Sequence, residues 1–198
     1  MGGRHAITRD KILQNAYDRA CASGISALDT RSIARECGVA VGTIYNYFPD
    51  MASLRTEVIQ RFWLEALGQA RQAACKVGEG SALCYCRRLL EALGASLAGF
   101  REYWLRDMPA LDGRTRERTR DAEAACFQSI QAGIQQAIEA DELISRQARA
   151  RLDACALAEF IWSAMLDSLR CGETSQAIVL DVMELALYGS VDDGTQGA

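Results

Sequence analysis

Residues 30–48 read TRSIARECGVAVGTIYNYF, and their spacing predicts a short helix that ends in a tight turn. Ile33, Ala34 and Cys37 lie three and four positions apart, as do residues on the buried face of a helix. Gly38 can take the left-handed conformation that commonly ends a helix. A second apolar stripe begins a few residues later. Two short helices joined by three or four residues form a helix-turn-helix unit.

The second helix of this unit carries a surface that suits a phosphate-lined groove. Ile44 and Phe48 are four residues apart and supply its buried stripe. The residues off that stripe are small, hydroxyl-bearing, amide-bearing or aromatic, and none is acidic: Gly42, Thr43, Tyr45, Asn46 and Tyr47. This composition indicates a helix that reads DNA.

Helices are also predicted on both sides of the unit. Upstream, Thr8 can cap a helix whose apolar residues recur every four positions and which Gly24 ends. Downstream, Pro49 disfavours helix before it, and Asp50 is a good cap for a long helix that reaches about Cys75. Three short helices, each with one apolar stripe, can form a compact trihelical core.

Further helices are predicted in the rest of the chain. One begins near Ala82, and a long amphipathic one runs from about Arg116 to Ala140. The last two, at about 148–171 and 175–189, are apolar on nearly every side. Because such helices must cover a second face, the expected partner is another copy of this chain across a two-fold axis.

Length and composition favour an all-α protein of 198 residues with two domains. Apolar residues make up 49% of the chain and there are only 2 prolines. We predict a three-helix DNA-binding domain at 5–62 and a larger helical bundle for ligand binding and dimerisation at 63–198, about nine helices in total. The first 62 residues carry a net charge of +2 and the remainder −6, which is compatible with DNA binding at one end.

The sequence offers little that suggests an enzyme, a metal site or a membrane protein. His5 is the only histidine, so no catalytic arrangement with a placed base is expected. No apolar run of about 18 residues and no secretory signal is present. The eight cysteines mostly lie among alanine and leucine, so we expect a cytoplasmic protein with reduced, largely buried thiols and no cofactor.

Residues from Ile12 to Ile59 resemble the N-terminal domain of the TetR/AcrR family of transcriptional regulators. The resemblance rests on an ordered signature, G(24)…T(30)RSIA(34)…GV(39)…GTIYNYF(48)P…L(54), which covers about a quarter of the chain. It implies an all-helical homodimer that binds a palindromic double-stranded DNA operator. The family implies a repressor that a small ligand releases by binding in the C-terminal domain.

The resemblance also assigns DNA contacts. Thr30 and Arg31 would contact backbone phosphates. Residues on or beside the groove would be Val41, Gly42, Thr43, Tyr45, Asn46 and Tyr47. Thr43 and Asn46 can hydrogen-bond base edges, since asparagine can be bidentate to adenine. The Tyr47 hydroxyl suits a phosphate oxygen.

One position departs from the family pattern. Met51 stands where the family commonly has a lysine that meets a phosphate. The absence of that lysine should weaken non-specific affinity and reduce the salt dependence of binding. Arg55, or Arg4 and Arg9 in the N-terminal arm, could compensate.

Two features of the C-terminal part leave alternatives open. A ligand pocket lined by large aromatics is one interpretation, and simple core filling is the other: Trp63, Phe100, Trp104, Phe127 and Trp162. The basic residues Arg114, Arg116, Arg118 and Arg120 are interpreted as a solvated helix start, not as a second DNA contact.

Two other functions remain possible on this scaffold. One is a redox-sensing regulator with Cys84, Cys86 or Cys126 as the reactive thiol. The other is a helical interaction protein that has lost operator binding, an alternative that Met51 leaves open.

Overall fold

A computed structural model describes residues 7–75, 80–98, 111–171 and 173–189. Within those residues the chain forms nine α-helices, one short 3-10 helix and no strand, which confirms the predicted all-α class. The helices are α1 Arg9–Ser23, α2 Thr30–Cys37, α3 Val41–Tyr47, α4 Met51–Cys75, α5 Ala82–Ala98, α6 Gly113–Ala140, α7 Arg146–Arg151, α8 Ala154–Cys171 and α9 Glu173–Tyr188. The 3-10 helix is Ile25–Ala27.

The contacts divide the chain into two compact units. Unit 1 consists of Met1–Gly68 with Ala95–Phe127, and unit 2 consists of Gln69–Gly94 with Gln128–Ala198. The domain limits expected from the sequence, 5–62 and 63–198, stay a prediction.

Helix α1 has a side-chain cap at its start and a glycine at its end. The Thr8 hydroxyl accepts a hydrogen bond from the Lys11 amide at 3.2 Å, which satisfies one of the free N–H groups at the helix start. Ile12, Ala16 and Ala20 are fully buried, as their four-residue spacing predicts. Gly24 then ends the helix with a positive φ of 90°.

Helices α2 and α3 form the predicted helix-turn-helix. The Asp29 carboxylate accepts from the Ser32 amide and caps α2. At its other end Gly38 has φ +67°, the left-handed conformation that favours glycine, and a three-residue link leads into α3. Ile44 and Phe48 are buried, which leaves the remaining side of α3 open.

Helices α4 and α6 in unit 1 begin at aspartate caps. Asp50 accepts from the Ser53 amide at 2.7 Å, as predicted for the start of α4. Asp112 accepts from the Thr115 amide at 2.9 Å. Because of this second cap, α6 begins at Gly113, three residues before the predicted Arg116.

The first of the two predicted interface helices is divided in two. The stretch expected as one helix at about 148–171 consists of the end of α7 and the whole of α8. Asp153 accepts from the Ala156 amide at 2.8 Å and caps α8, so the chain starts a new helix there. Helix α9 lies within a residue or two of its predicted limits.

The prediction that most cysteines are buried was wrong. Only Cys86 and Cys126 are buried, while Cys75, Cys84, Cys155 and Cys171 are exposed; all eight are free thiols. The sequence did not distinguish these positions because the flanking helices are apolar on several sides. Burial raises the pKa of Cys86 to about 12, so its thiol stays protonated at neutral pH and is a poor redox nucleophile.

A buried carboxylate joins three helices of unit 2. Asp141, at the end of α6, accepts from the Ala82 amide at 2.7 Å and from the Tyr188 hydroxyl at 2.5 Å. The same hydroxyl lies 3.2 Å from the Leu83 amide, which donates to it. Asp141 therefore caps the start of α5 and fixes the end of α9, although the three segments are distant in sequence.

Candidate nucleic-acid interface

The open side of α3 is the candidate interface. Val41, Gly42, Tyr45 and Asn46 are exposed, and Thr43 and Tyr47 are half-buried. No residue of this helix is charged, so nothing on it repels a phosphate. A Cβ atom added to Gly42 would meet no protein atom within 4 Å, so the fold itself does not require glycine there.

Thr30, assigned to a backbone phosphate, lies next to Tyr45, assigned to the groove. The Thr30 and Tyr45 hydroxyl oxygens are 3.4 Å apart, with either able to donate. Thr30 is buried at the first position of α2, whereas Arg31 beside it is exposed. The start of α2 and the middle of α3 thus meet through a pair of hydroxyl groups.

The Tyr47 hydroxyl has a partner within the protein. It donates to the Ile7 carbonyl at 2.8 Å and so ties the residues before α1 to the end of α3. This contact joins positions 40 residues apart and carried no signal in the sequence. Asn46, by contrast, is exposed on the reading side.

The arginines expected to replace the missing lysine are already engaged in unit 1. Arg55 donates to the Leu28 carbonyl at 3.0 Å and lies 3.7 Å from the Asp112 carboxylate. Arg9 is ion-paired with Glu57 and covers the Phe48 ring. Arg4 lies outside the described residues.

A different pair of basic residues lies beside the first turn of α4. Arg118 is 3.2 Å from the Asp50 carboxylate and donates to the Ser53 hydroxyl at 2.8 Å. Arg114 is 3.8 Å from the same carboxylate. Hydrogen bonds from Ser53, followed by the two guanidinium groups, hold the pKa of Asp50 below its usual value. The basic run that supplies these arginines is visible in the sequence. Its position near residue 50 is not, because that position depends on a tertiary contact.

The described aromatics assigned to a ligand pocket are divided between the two units. Trp63 and Phe127, both in unit 1, meet edge to face with ring centroids 5.0 Å apart. The Trp63 indole donates to Glu123 at 2.8 Å. Trp162 is buried in unit 2. Phe100 and Trp104 lie outside the described residues.

A buried hydroxyl near the start of α6 leads to a stability prediction. Thr119 is fully buried, yet its Oγ1 has no hydrogen-bond partner within the described residues. Because a buried polar group without a partner costs about 1–3 kcal/mol, Thr119→Val is expected to raise the free energy of unfolding by about 1 kcal/mol. Urea unfolding followed by circular dichroism measures this change.

Thr115, one turn earlier, supplies the matched control. Its hydroxyl donates to Asp112 at 2.6 Å, so Thr115→Val removes a hydrogen bond that exists and should lower stability. Equal decreases in stability for the two variants would contradict the assignment of an unsatisfied hydroxyl at Thr119.

No site for metal chemistry is visible in the part of the chain that the structure describes. Within those residues, no group of three or more histidine, cysteine, aspartate or glutamate side chains could hold a metal ion. In the same residues, no helix is long and apolar enough to cross a membrane. The open side of α3 instead presents hydroxyl and amide groups on an uncharged helix, with arginine groups nearby. This arrangement defines a helix-turn-helix DNA-binding regulator.

Comparison with known proteins identifies which kind of regulator. The family model described as bacterial regulatory proteins, tetR family, matches residues 12–58. No curated protein sequence matches the chain. Residues 12–58 thus match the DNA-binding segment of the tetR family of regulatory proteins, which confirms the resemblance seen in the sequence.

Solved structures share the fold over nearly the whole chain. A putative transcriptional regulator from Rhodococcus sp. RHA1 is 16% identical, with a TM-score of 0.65, 91% of this chain covered and 94% of the other. The transcriptional regulator FadR from Bacillus subtilis, solved in complex with stearoyl-CoA, is 16% identical with a TM-score of 0.64, covering 92% and 100%. A putative TetR-family regulator from Rhodococcus sp. is 21% identical with a TM-score of 0.62, covering 90% and 97%.

Proposed function

We propose that this DNA-binding regulator is a cytoplasmic homodimeric repressor, which a small ligand releases from a palindromic operator. The observation that carries the proposal is the uncharged open face of α3 in a domain of the TetR family. Two-fold symmetry would place two copies of α3 in major grooves about 34–36 Å apart, or a multiple of that distance.

The proposed DNA contacts divide into two groups. Asn46 and Thr43 would contact base edges, with Val41 beside them and Gly42 allowing the DNA backbone to come close. This role gives a reason for glycine at a position where the fold does not need it. Thr30, Arg31 and Tyr45 would contact phosphates and fix the orientation of the domain on the duplex. Tyr47 would join them by exchanging its hydrogen bond to the Ile7 carbonyl for one to a phosphate oxygen.

The proposed effector is a small molecule bound among the aromatics predicted from the sequence. Trp63 and Phe127 supply apolar ring surface, and the Trp63–Glu123 hydrogen bond adds a polar group at its edge. Binding would change the spacing of the two reading helices and so weaken operator binding. Native mass spectrometry of the freshly purified protein would detect a retained compound.

Asn46→Ala tests the proposed reading role. The variant should lose about 1–3 kcal/mol of preference for the correct base, or roughly 5- to 150-fold, because it removes a bidentate contact. The measurement is selection of the preferred palindrome from a random duplex library, followed by gel shift with wild type and variant. Asn46 is exposed, so the melting temperature should not change.

Two outcomes would contradict the proposal. Wild-type protein that selects no palindrome would favour a helical interaction protein, and an Asn46→Ala variant with undiminished preference would remove Asn46 from the interface. Gln147→Ala, on a helix of unit 2, is a control that should bind as the wild type does.

A further inference from the structure

The first turns of α6 present two arginines on one side of the helix. Arg114 and Arg118 are four residues apart and therefore neighbours on its surface, while Thr115 and Thr119 face the interior. Both guanidinium groups approach the single carboxylate of Asp50, at 3.8 Å and 3.2 Å. The start of α6 thus lies against the residue that caps α4.

This pair adjoins the candidate interface on two sides. Asp50 follows Tyr47, the last residue of α3, by only three positions. Arg55 bridges the Leu28 carbonyl, two residues before Thr30, and Asp112, the cap of α6. The start of α6 is therefore next to the segment that leads into α2 and to the segment that leaves α3.

The charges at this place do not cancel. Arg55 and Asp112 balance each other, and Glu117 and Asp121 match Arg116 and Arg120 in number. Arg114 and Arg118 share the one remaining carboxylate, Asp50, which leaves a surplus of one positive charge. The side chains remain open to solvent, at 72% exposed for Arg114 and 44% for Arg118. Each guanidinium has five N–H donors, so donors remain for a phosphate oxygen.

We propose that Arg114 and Arg118 each contact a DNA backbone phosphate, so that the DNA interface extends from the helix-turn-helix to the start of α6. The proposal rests on the proposed function, because it assumes that α3 faces DNA. It replaces the sequence-based interpretation of the basic run as a solvated helix start. It also supplies positive charge near the first turn of α4, which contains no basic residue.

The salt dependence of non-specific binding tests this contact. Fluorescence anisotropy with a labelled 30-base-pair duplex of arbitrary sequence gives the dissociation constant between 50 and 200 mM NaCl. Removing the interaction with one phosphate should lower the slope of log K against log salt by about 0.9. Over this range the affinity of the wild type should therefore fall by about 3.5-fold more than that of Arg114→Ala or Arg118→Ala, if each arginine neutralises one phosphate.

Arg120→Ala is the matched control for charge and helix. Arg120 is exposed on α6, and two positions after Arg118 it lies about 200° around the helix. This substitution removes the same charge but should leave the slope near that of the wild type. Equal slopes for wild type, Arg114→Ala and Arg118→Ala would overturn the proposal.

Asp50→Asn separates a phosphate contact from a purely structural ion pair. Asparagine caps helices as well as aspartate does, so α4 should remain intact. If the arginines contact phosphate, removing the competing carboxylate should tighten non-specific binding several-fold. If they serve only to hold Asp50, affinity should stay the same or fall, which would also overturn the proposal.

Failure of this inference can be distinguished from failure of the proposed function. A wild-type protein that binds no DNA at any salt concentration contradicts both. Binding with a palindrome preference and a salt slope that the arginine variants leave unchanged contradicts only the contact at α6. Thermal melts of all variants show whether a change in binding reflects loss of folding.

Discussion

Asp141→Ala is expected to lower the free energy of unfolding by about 3 kcal/mol or more, since it leaves several donors without their acceptor. The carboxylate is only 6% exposed and accepts from the amides of Ala82 and Leu143 and from the Tyr188 hydroxyl. Alanine removes all three hydrogen bonds at once. Each donor that remains buried without a partner costs about 1–3 kcal/mol.

Chemical denaturation in urea provides the measurement, with helix content at 222 nm as the signal. Tyr188→Phe serves as the graded control, because it removes the hydrogen bonds from Tyr188 to Asp141 and from Leu83 to Tyr188 but leaves the Ala82 contact to Asp141 in place. It should lower the free energy of unfolding by about 1–2 kcal/mol, less than Asp141→Ala does. If Asp141→Ala lowers the free energy of unfolding by less than about 1 kcal/mol, the prediction is wrong and water replaces the carboxylate at low cost.

The difference in the free energy of unfolding between wild type and Tyr188→Phe should depend on pH, because the pKa of Tyr188 is raised. Burial, together with the hydrogen bond to Asp141, raises that pKa from 10.0 to about 12. The folded state therefore holds the phenol proton more tightly than the unfolded state does. The stabilisation by the protonated Tyr188 hydroxyl is complete below pH 10 and is lost as the pH rises toward 12. The wild type and Tyr188→Phe should therefore become more similar in their free energy of unfolding over that pH range.

Local signals in the sequence predicted much of the fold. The caps at Thr8 and Asp50 and the left-handed Gly38 act within a few residues of themselves, so their spacing was sufficient. The same rule applied to Asp112 would have placed the start of α6 correctly. The reading side of α3 was also predictable, because Ile44 and Phe48 fix which side is buried.

Contacts between distant positions could not be predicted in this way. Asp141 meets Ala82 across 59 residues, and Arg118 meets Asp50 across 68. Neither contact produces a periodic pattern, and each depends on how whole helices pack. The basic run at the start of α6 was visible in the sequence, but its place beside α4 was not. Charged residues that act in tertiary contacts therefore leave no trace in residue spacing.

The open sides of α8 and α9 are the candidate dimer interface. Phe160 is 65% exposed and Leu185 is 73% exposed, and Ile178 and Val182 are also open to solvent. Large apolar side chains exposed together usually mark an interaction surface. A second copy is the expected partner, because a two-fold interface brings the same patch from both protomers together.

Leu185→Asp and Phe160→Asp are each expected to convert the proposed dimer to a monomer at micromolar concentration. Removing an apolar anchor costs about 2 kcal/mol, and in a two-fold interface the substitution occurs twice. About 4 kcal/mol corresponds to a roughly 1000-fold rise in the dissociation constant, and buried carboxylates add to it. Sedimentation velocity over a range of protein concentrations measures the change.

Leu143→Asp is the matched control for this pair of variants. Leu143 is as exposed as Leu185 but lies between α6 and α7, so the same substitution should leave the dimer intact. A wild type that sediments as a monomer, or variants that remain dimeric, would contradict the proposed interface.

Because two half-sites bind tightly only when one dimer holds both, the monomeric variants should lose palindrome affinity while keeping weak, salt-dependent binding to a single half-site.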